Sequence, residues 1–154
     1  MALDIGQRAP EFEMETDGGG TVSLAGFAGR KVVLYFYPRD DTPGCTKEAC
    51  GFRDYHPDFA GLDAVVVGVS KDSVAKHDKF KAKYDLPFTL ASDADGSVCE
   101  SYGTWVEKSM YGRKYMGIER ATFLIDETGV VRNVWRKVRV NGHVDSVLEA
   151  VRSL

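Results

Sequence analysis

The sequence predicts an α/β protein in which helices flank a mixed central β-sheet. Two continuous runs of β-branched and aromatic residues, KVVLYFY at 31–37 and AVVVGVS at 64–70, are typical of strands covered on both faces. A segment with helical signals follows each run. Two further strands joined by a short turn then precede a closing helix, and this order indicates parallel and antiparallel pairings in one sheet.

A short β-hairpin is expected near the N-terminus. Phe12 and Met14 alternate with acidic residues, and the run Asp17-Gly-Gly-Gly then turns the chain into residues 21–24. Because this hairpin precedes the first buried strand, it would form an extension of the α/β core.

The middle of the chain predicts helices between the strands. Thr42-Pro43 marks a helix start after the first buried strand, since threonine suits the N-cap and proline the first helical position. Apolar and aromatic side chains recur at helical spacing within residues 73–84. Residues 86–92 are expected to be extended, and residues 97–102 to form one or two helical turns.

The C-terminal part predicts a strand–turn–strand unit followed by a helix. ATFLID (121–126) and VVRNVW (130–135) flank the turn Glu-Thr-Gly at 127–129. The valines and leucine of residues 144–151 lie on one face of a helix. This order of elements fits a thioredoxin-like fold with the hairpin as an N-terminal extension. The chain contains no internal repeat or linker, so residues 1–154 are expected to form one domain.

Composition excludes several classes of partner. A net charge of −3 gives no electrostatic reason to expect nucleic acid or an anionic membrane as partner. The apolar runs are too short to span a bilayer. The start, MALDIGQRAPEF, has no apolar stretch typical of a signal peptide, which predicts a cytoplasmic protein.

The three cysteines carry the main functional signal. Three cysteines are too few for a secreted disulfide scaffold, and an odd number cannot pair completely within one chain. Closely spaced cysteines in a reducing compartment are typically catalytic or metal-binding. Zinc is disfavoured, because four residues rather than two separate Cys45 from Cys50, and because the histidines (His56, His77 and His143) are scattered.

Cys45 falls in the first turn of the helix that begins after Thr42. Unpaired backbone N–H groups and the helix dipole favour an anion there. This is one of the environments that lower the pKa of a cysteine and so favour the nucleophilic thiolate. An inert buried cysteine is the alternative. Loops that lead from a strand end into a helix are, however, where α/β sheets place ligands, which favours chemistry at Cys45.

The segment around Cys45 resembles a known enzyme family. Pro38-x-x-x-Thr42-x-x-Cys45 is similar to the active-site signature of the peroxiredoxins, which are thiol peroxidases. The run TPGCTKEAC resembles the bacterioferritin comigratory protein (peroxiredoxin Q) subgroup, as do SDADGSVCESYGTWVEK (92–108) and GIERATFLID (117–126). The resemblance therefore covers most of the chain.

The resemblance implies roles for five residues. Cys45 would be the peroxidatic cysteine that peroxide oxidises to sulfenic acid, and Cys50 the resolving cysteine that forms a disulfide with it. Thr42 would hydrogen-bond the thiolate and the bound peroxide, Pro38 would shield the sulfenate, and the guanidinium of Arg120 would lie beside the sulfur. Without the resemblance, Thr42 would be interpreted as a helix cap and Arg120 as a solvated charge.

The function implied is a thioredoxin-dependent, thiol-specific peroxidase for hydrogen peroxide and organic hydroperoxides, active in antioxidant defence. It would work as a monomer without metal, haem or flavin. A disulfide oxidoreductase on the same fold and a non-catalytic redox sensor are the alternatives. Cys99 is expected in the core, and it is the second candidate for resolution if Cys50 is not the resolving cysteine.

The spacing of the two cysteines sets a geometric condition. Five residues along an α-helix rise about 7.5 Å, whereas a disulfide places its Cα atoms roughly 4.4–6.8 Å apart. Cys45 and Cys50 therefore cannot bond within one intact helix, and the helix must open. Gly44 and Gly51 each weaken a helix by about 1 kcal/mol relative to alanine. Gly51 could instead serve close packing.

Trp105, Met110 and Tyr111 are expected to lie in a long loop. They are candidates for the apolar wall of a peroxide pocket, and capping the core is the alternative.

Overall fold

The fold is a seven-stranded mixed sheet with helices on both faces, so the predicted fold class is confirmed. The computed structural model describes residues 3–154. Its strands are β1 (Glu13–Thr16), β2 (Thr21–Ser23), β3 (Lys31–Phe36), β4 (Ala64–Ser70), β5 (Thr89–Ser92), β6 (Trp105–Met110), β7 (Arg113–Ile118), β8 (Ala121–Ile125) and β9 (Val131–Trp135). Its helices are α1 (Pro43–Asp54), α2 (His56–Gly61), α3 (Val74–Tyr84), α4 (Ser97–Ser101) and α5 (His143–Arg152), with 3₁₀ turns at Asp17–Gly19 and Ala25–Phe27.

The strand order explains the two buried apolar runs. The sheet runs β2-β1-β5-β4-β3-β8-β9. β3 lies between β4, with which it is parallel, and β8, with which it is antiparallel. Because helices or loops cover both faces of β3 and β4, nearly every side chain in them is buried. The predicted N-terminal hairpin, β1–β2, is confirmed and pairs with β5 at one side of the sheet.

Two hydrophobic cores lie on opposite faces of the sheet. Val33 and Tyr35 of β3 belong to the core that contains Cys45 and the inner faces of α1, α2, α3 and α5. The alternate residues Val32 and Leu34 belong to the core that contains Cys99. Successive side chains of a strand point to opposite faces, so the sheet separates Cys45 from Cys99.

The long loop predicted around Trp105, Met110 and Tyr111 is wrong, because β6 and β7 form a separate two-stranded antiparallel hairpin there. Its turn is made by Tyr111 and Gly112, with φ angles of 53° and 78°. Positive φ at both central residues is typical of the type I′ turn that suits hairpin twist. Tyrosine at a position that asparagine usually occupies hides this turn in the sequence.

Other differences are small. The extended segment predicted at 86–92 is a strand only over Thr89–Ser92, and the short helix α2 was not predicted. Within residues 3–154, no helix combines the length and apolar character that crossing a bilayer requires. Met1 and Ala2, which begin the segment considered for a signal peptide, lie outside the described residues.

Candidate active site

The loop between β3 and α1 carries the N-terminal part of the site. Thr42 occupies the N-cap position with extended backbone angles, and Pro43 is the first helical residue, so the predicted helix start is confirmed. The threonine side chain does not form the capping hydrogen bond. Its hydroxyl donates instead to the carbonyl oxygen of Arg39 at 2.9 Å, which leaves the oxygen lone pairs as acceptors.

A buried histidine–carboxylate hydrogen bond anchors this loop to α3. His77 is fully buried, with Nδ1 2.6 Å from Asp40 Oδ2 and Nε2 3.0 Å from the carbonyl oxygen of Ala91. The carbonyl can only accept, so Nε2 donates to it. Burial disfavours charge on His77, but its contacts with Asp40 and Ala91 raise the pKa of the imidazole. The backbone N–H of Asp40 also donates to Asp72, so the loop that carries Thr42 is held at two points.

Cys45 lies beside the guanidinium of Arg120. The cysteine is only 2% exposed, and Nη2 of Arg120 donates to its Sγ at 3.2 Å. Arg120 comes directly before β8, whose first residue pairs with the last residue of β3, and this pairing brings the arginine to the start of α1. A Cβ on Gly44 would lie 3.2 Å from Nη2, so the glycine permits this close approach.

Glu48 completes the contacts of Arg120, and sequence reasoning missed it. Its carboxylate oxygen Oε1 accepts from Arg120 Nη1 at 2.7 Å, and the side chain is fully buried. Burial raises the pKa of Glu48 to about 7, against the opposing effect of Arg120. The available signal was its position three residues after Cys45, which places both side chains on one helical face.

A pocket of about 610 Å³ opens over Cys45. Four of the five residues implied by the resemblance line it: Pro38, Thr42, Cys45 and Arg120. The β6–β7 hairpin supplies an apolar wall made of Trp105, Met110, Tyr115, Met116 and Ile118, and three further basic residues contribute to the lining, Arg39, Lys71 and Lys108. Of the three candidates for an apolar wall, Trp105 and Met110 line the pocket. Tyr111 does not, and it is 98% exposed.

Cys50 lies outside the pocket but in the same helix as Cys45. Both belong to α1, as predicted, and the three cysteines are unbonded. A Cβ on Gly51 would lie 3.0 Å from Cγ2 of Val144 in α5. This tight contact supports the close-packing interpretation of Gly51, because alanine there would first displace Val144 rather than only stiffen the helix.

Cys99 has the properties of a core cysteine. It is fully buried, and burial raises the pKa of its thiol well above the usual range. Its backbone N–H donates to Asp93 Oδ2 at 2.8 Å, which fixes the start of α4. Across residues 3–154, no group of three or more His, Cys, Asp and Glu side chains has the arrangement of a metal site.

The chain matches the model of the AhpC/TSA family over residues 5–134. It is 58% identical over 148 residues to a putative peroxiredoxin Bcp of Coxiella burnetii, covering 96% of this chain and 98% of that protein. It is 51% identical over 154 residues to peroxiredoxin Bcp of Bacillus subtilis, covering 100% of this chain and 98% of that protein.

Solved structures that resemble this chain belong to the same family. The bacterioferritin comigratory protein of Xanthomonas campestris, described as reducing alkyl peroxides, has a TM-score of 0.89 and 44% identity, with 92% of this chain and 90% of that chain covered. The peroxiredoxin Q of Xylella fastidiosa has a TM-score of 0.94 and 37% identity, with 99% and 98% covered. The chain therefore belongs to the AhpC/TSA family and is a thiol peroxidase of the bacterioferritin comigratory protein (peroxiredoxin Q) subgroup of peroxiredoxins.

Proposed function

We propose that Cys45 is the peroxidatic cysteine and that Cys50 resolves its sulfenic acid as an intramolecular disulfide. The contact of Arg120 Nη2 with Cys45 Sγ, at the base of a pocket, is the observation that carries the proposal. The Cys45 thiolate attacks the terminal oxygen of the peroxide. The S–O bond forms as the O–O bond breaks, and the departing oxygen leaves as water or alcohol once it gains a proton.

Arg120 would contribute more to the transition state than to the thiolate population. A thiol with a pKa near 8.5 is already about 3% thiolate at pH 7, so complete ionisation gains only about 30-fold. Lowering the pKa also lowers nucleophilicity. Any larger acceleration requires donors aimed at the charge that builds on the departing oxygen. Arg120 and the unpaired amides at the start of α1 are such donors.

Thr42 would orient the peroxide, and Pro38 would shield the oxidised sulfur. The hydroxyl proton of Thr42 is already used by Arg39, so its oxygen would accept a hydrogen bond from the O–H of the bound hydroperoxide. This differs from donation to the thiolate, the role that the resemblance implies. Pro38 lies on the pocket wall, where its ring would limit the access of water to the sulfenate.

The pocket suits organic hydroperoxides as well as hydrogen peroxide. Hydrogen peroxide would fill a small part of a space of about 610 Å³. The apolar side chains of the β6–β7 hairpin would contact the alkyl group of a larger substrate, whose burial is favourable.

Resolution would require α1 to open between the two cysteines. Each helical hydrogen bond lost costs about 1 kcal/mol, and exposing Phe52, which is fully buried, would add roughly 1.5–3 kcal/mol. An opening that stops short of Phe52 is therefore favoured, and it lies within the range of local unfolding. Cys50 is half-buried and nearer the surface than Cys45. An external dithiol, for which we propose thioredoxin, would then reduce the disulfide.

The same proposal covers the cofactor requirement, the domain organisation, the oligomeric state and the location of the protein. The two cysteines and the external dithiol would pass all the electrons that reach the peroxide, so the reaction would need no metal, haem or flavin. Residues 1–154 would act as one domain and one monomer in the cytoplasm, in antioxidant defence.

The Cys50→Ser variant is expected to form the Cys45 sulfenate at a normal rate but to lose thioredoxin-dependent turnover. Without a local partner the sulfenate lives longer, so more of it proceeds to sulfinic acid as peroxide rises. The measurement is peroxide consumption coupled to thioredoxin and its reductase, with mass spectrometry of Cys45 across a peroxide titration. Cys99→Ser is the matched control and should behave as the unmodified protein. Wild-type turnover in Cys50→Ser would rule out Cys50 as the resolving cysteine.

A further inference from the structure

The buried carboxyl of Glu48, which shares Arg120 with the Cys45 sulfur, has no part in the chemistry proposed above. Glu48 is fully buried, and its Oε1 accepts from Arg120 Nη1 at 2.7 Å. Its other oxygen, Oε2, has no hydrogen-bond partner. An ionised carboxylate that is left half-unsatisfied in a protein interior is costly, so this arrangement favours a proton on Glu48.

The groups that surround Glu48 supply little compensating charge. His143 of α5 approaches Oε2 at 3.8 Å, but burial and the charge of Arg120 lower the pKa of this histidine to about 4, so it is neutral at pH 7. Tyr35 of β3 is also neutral, because burial raises its pKa well above the usual range. Lys108 faces Cys45 from the pocket wall and is half-buried. Among the described residues, Arg120 is the cation that contacts both Glu48 and Cys45.

Two buried acids thus share one guanidinium. Arg120 donates Nη1 to Glu48 and Nη2 to Cys45, so full ionisation of both would set two negative charges against one positive charge. Like charges in a poorly solvated site resist ionising together, as in carboxylate pairs that share one proton. The pKa of Glu48, raised by burial to about 7, agrees with this arrangement.

We propose that Cys45 and Glu48 hold one proton between them across Arg120, and that Glu48 releases this proton when Cys45 is oxidised. The inference rests on the proposed role of Cys45 as the reacting cysteine. Glu48 does not line the pocket, so it is a positioning residue that acts through Arg120 and sets the protonation of the site.

The step balances without a further reactant. The Cys45 thiolate attacks the outer oxygen of the hydroperoxide, the S–O bond forms, and the O–O bond breaks with its electron pair on the departing oxygen. The sulfur, now a sulfenic acid, is neutral, so Arg120 faces Glu48 alone and the carboxyl ionises. The departing alkoxide or hydroxide takes up one proton while Glu48 gives up one, so the protein and solvent exchange no net proton.

Proton uptake during sulfenate formation tests this directly. The experiment uses Cys50→Ser as the parent, so that the reaction stops at the sulfenate, and mixes it with limiting hydrogen peroxide in weak buffer with a pH indicator at neutral pH. We expect almost no proton taken up per sulfenic acid formed in the parent. After Glu48→Gln, Cys45 has Arg120 to itself and starts as the thiolate, so one proton should be taken up per sulfenic acid formed. Glu149→Gln is the matched control, since Glu149 Oε1 accepts from Arg152 Nη1 at the same 2.7 Å on the surface. It should behave as the parent.

A second readout does not depend on the folding of the Glu48→Gln variant. When the sulfenic acid forms, the infrared difference spectrum of the parent should show the loss of one protonated-carboxyl stretch. The size of this loss should be proportional to the fraction of Cys45 that starts as the thiolate. An unchanged carboxyl region at a pH where Cys45 of the parent is a thiolate, or one proton taken up by the parent, overturns the shared proton even if mass spectrometry finds the sulfenic acid on Cys45. No uptake in a folded Glu48→Gln variant overturns it as well. Absence of a sulfenate on Cys45 would contradict the proposed function itself.

Discussion

Cys45→Ser is expected to reduce thioredoxin-coupled peroxide turnover to the level of an assay without enzyme. A serine hydroxyl is scarcely ionised at neutral pH and is a weak nucleophile without an adjacent general base. Arg120 and the α1 amides beside position 45 are donors, and Glu48 reaches the site only through Arg120, so none of these groups is a base in contact with a serine there. The measurement is the initial rate of peroxide consumption with excess thioredoxin and reductase.

Cys99→Ser is the matched control for this loss. It removes a thiol from the core on the other face of the sheet, and Cys99 does not line the pocket. Most of the activity should remain, apart from any loss due to stability. Appreciable activity in folded Cys45→Ser would contradict the assignment of the nucleophile.

Arg120→Met is expected to slow sulfenate formation by about 10²–10³-fold, the usual effect of removing one donor to a charge that develops in the transition state. Loss of thiolate would account for about 30-fold of this change if the thiol returned to the ordinary pKa near 8.5. Stopped-flow rates, measured beside the thiolate fraction of Cys45 in the same buffer, separate the two contributions. A rate change fully explained by the thiolate fraction would contradict a transition-state role for Arg120.

Two control variants isolate the role of Arg120. Arg120→Met leaves Glu48 buried without its partner, which destabilises a protein unless the carboxyl becomes protonated. The double variant Arg120→Met/Glu48→Gln removes that charge and should recover stability without recovering rate. Arg136→Met removes another arginine–carboxylate pair, with Glu119 at 3.1 Å, outside the pocket, and should leave the rate unchanged.

The sequence predicted the parts of the fold in which local pattern and tertiary environment agree. β3 and β4 are covered on both faces, so their composition is apolar throughout and easily recognised. The start of α1 was recognised because Thr42-Pro43 has strong positional preferences. The position of Cys45 in the first helical turn followed from that start.

The β6–β7 hairpin could not be predicted in the same way. Most of its side chains are at least partly exposed, so no apolar alternation marks the strands. Its turn places Tyr111 in a left-handed conformation that sequence signals assign to asparagine or glycine. Since this hairpin forms the apolar wall of the pocket, the shape of the pocket could not be predicted from the sequence either.

Glu48 was missed for a different reason. A glutamate that follows a lysine and precedes an alanine in a helix is usually solvated, and only the folded chain shows that Arg120 meets Glu48 in the interior. The hydroxyl of Thr42 is a similar case, because its bond to the Arg39 carbonyl depends on how the loop is held by Asp40 and His77.

Peptide mapping by mass spectrometry after one equivalent of hydrogen peroxide tests the central claim most directly. The reduced protein is mixed with peroxide, free thiols are blocked, and the disulfide-linked peptides are identified without reduction. The peptide containing Cys45 and Cys50 is expected to have lost two hydrogens through a disulfide between them, with Cys99 recovered as a free thiol. A disulfide between Cys45 and Cys99, or consumption of the peroxide with Cys45 still a free thiol, would contradict it.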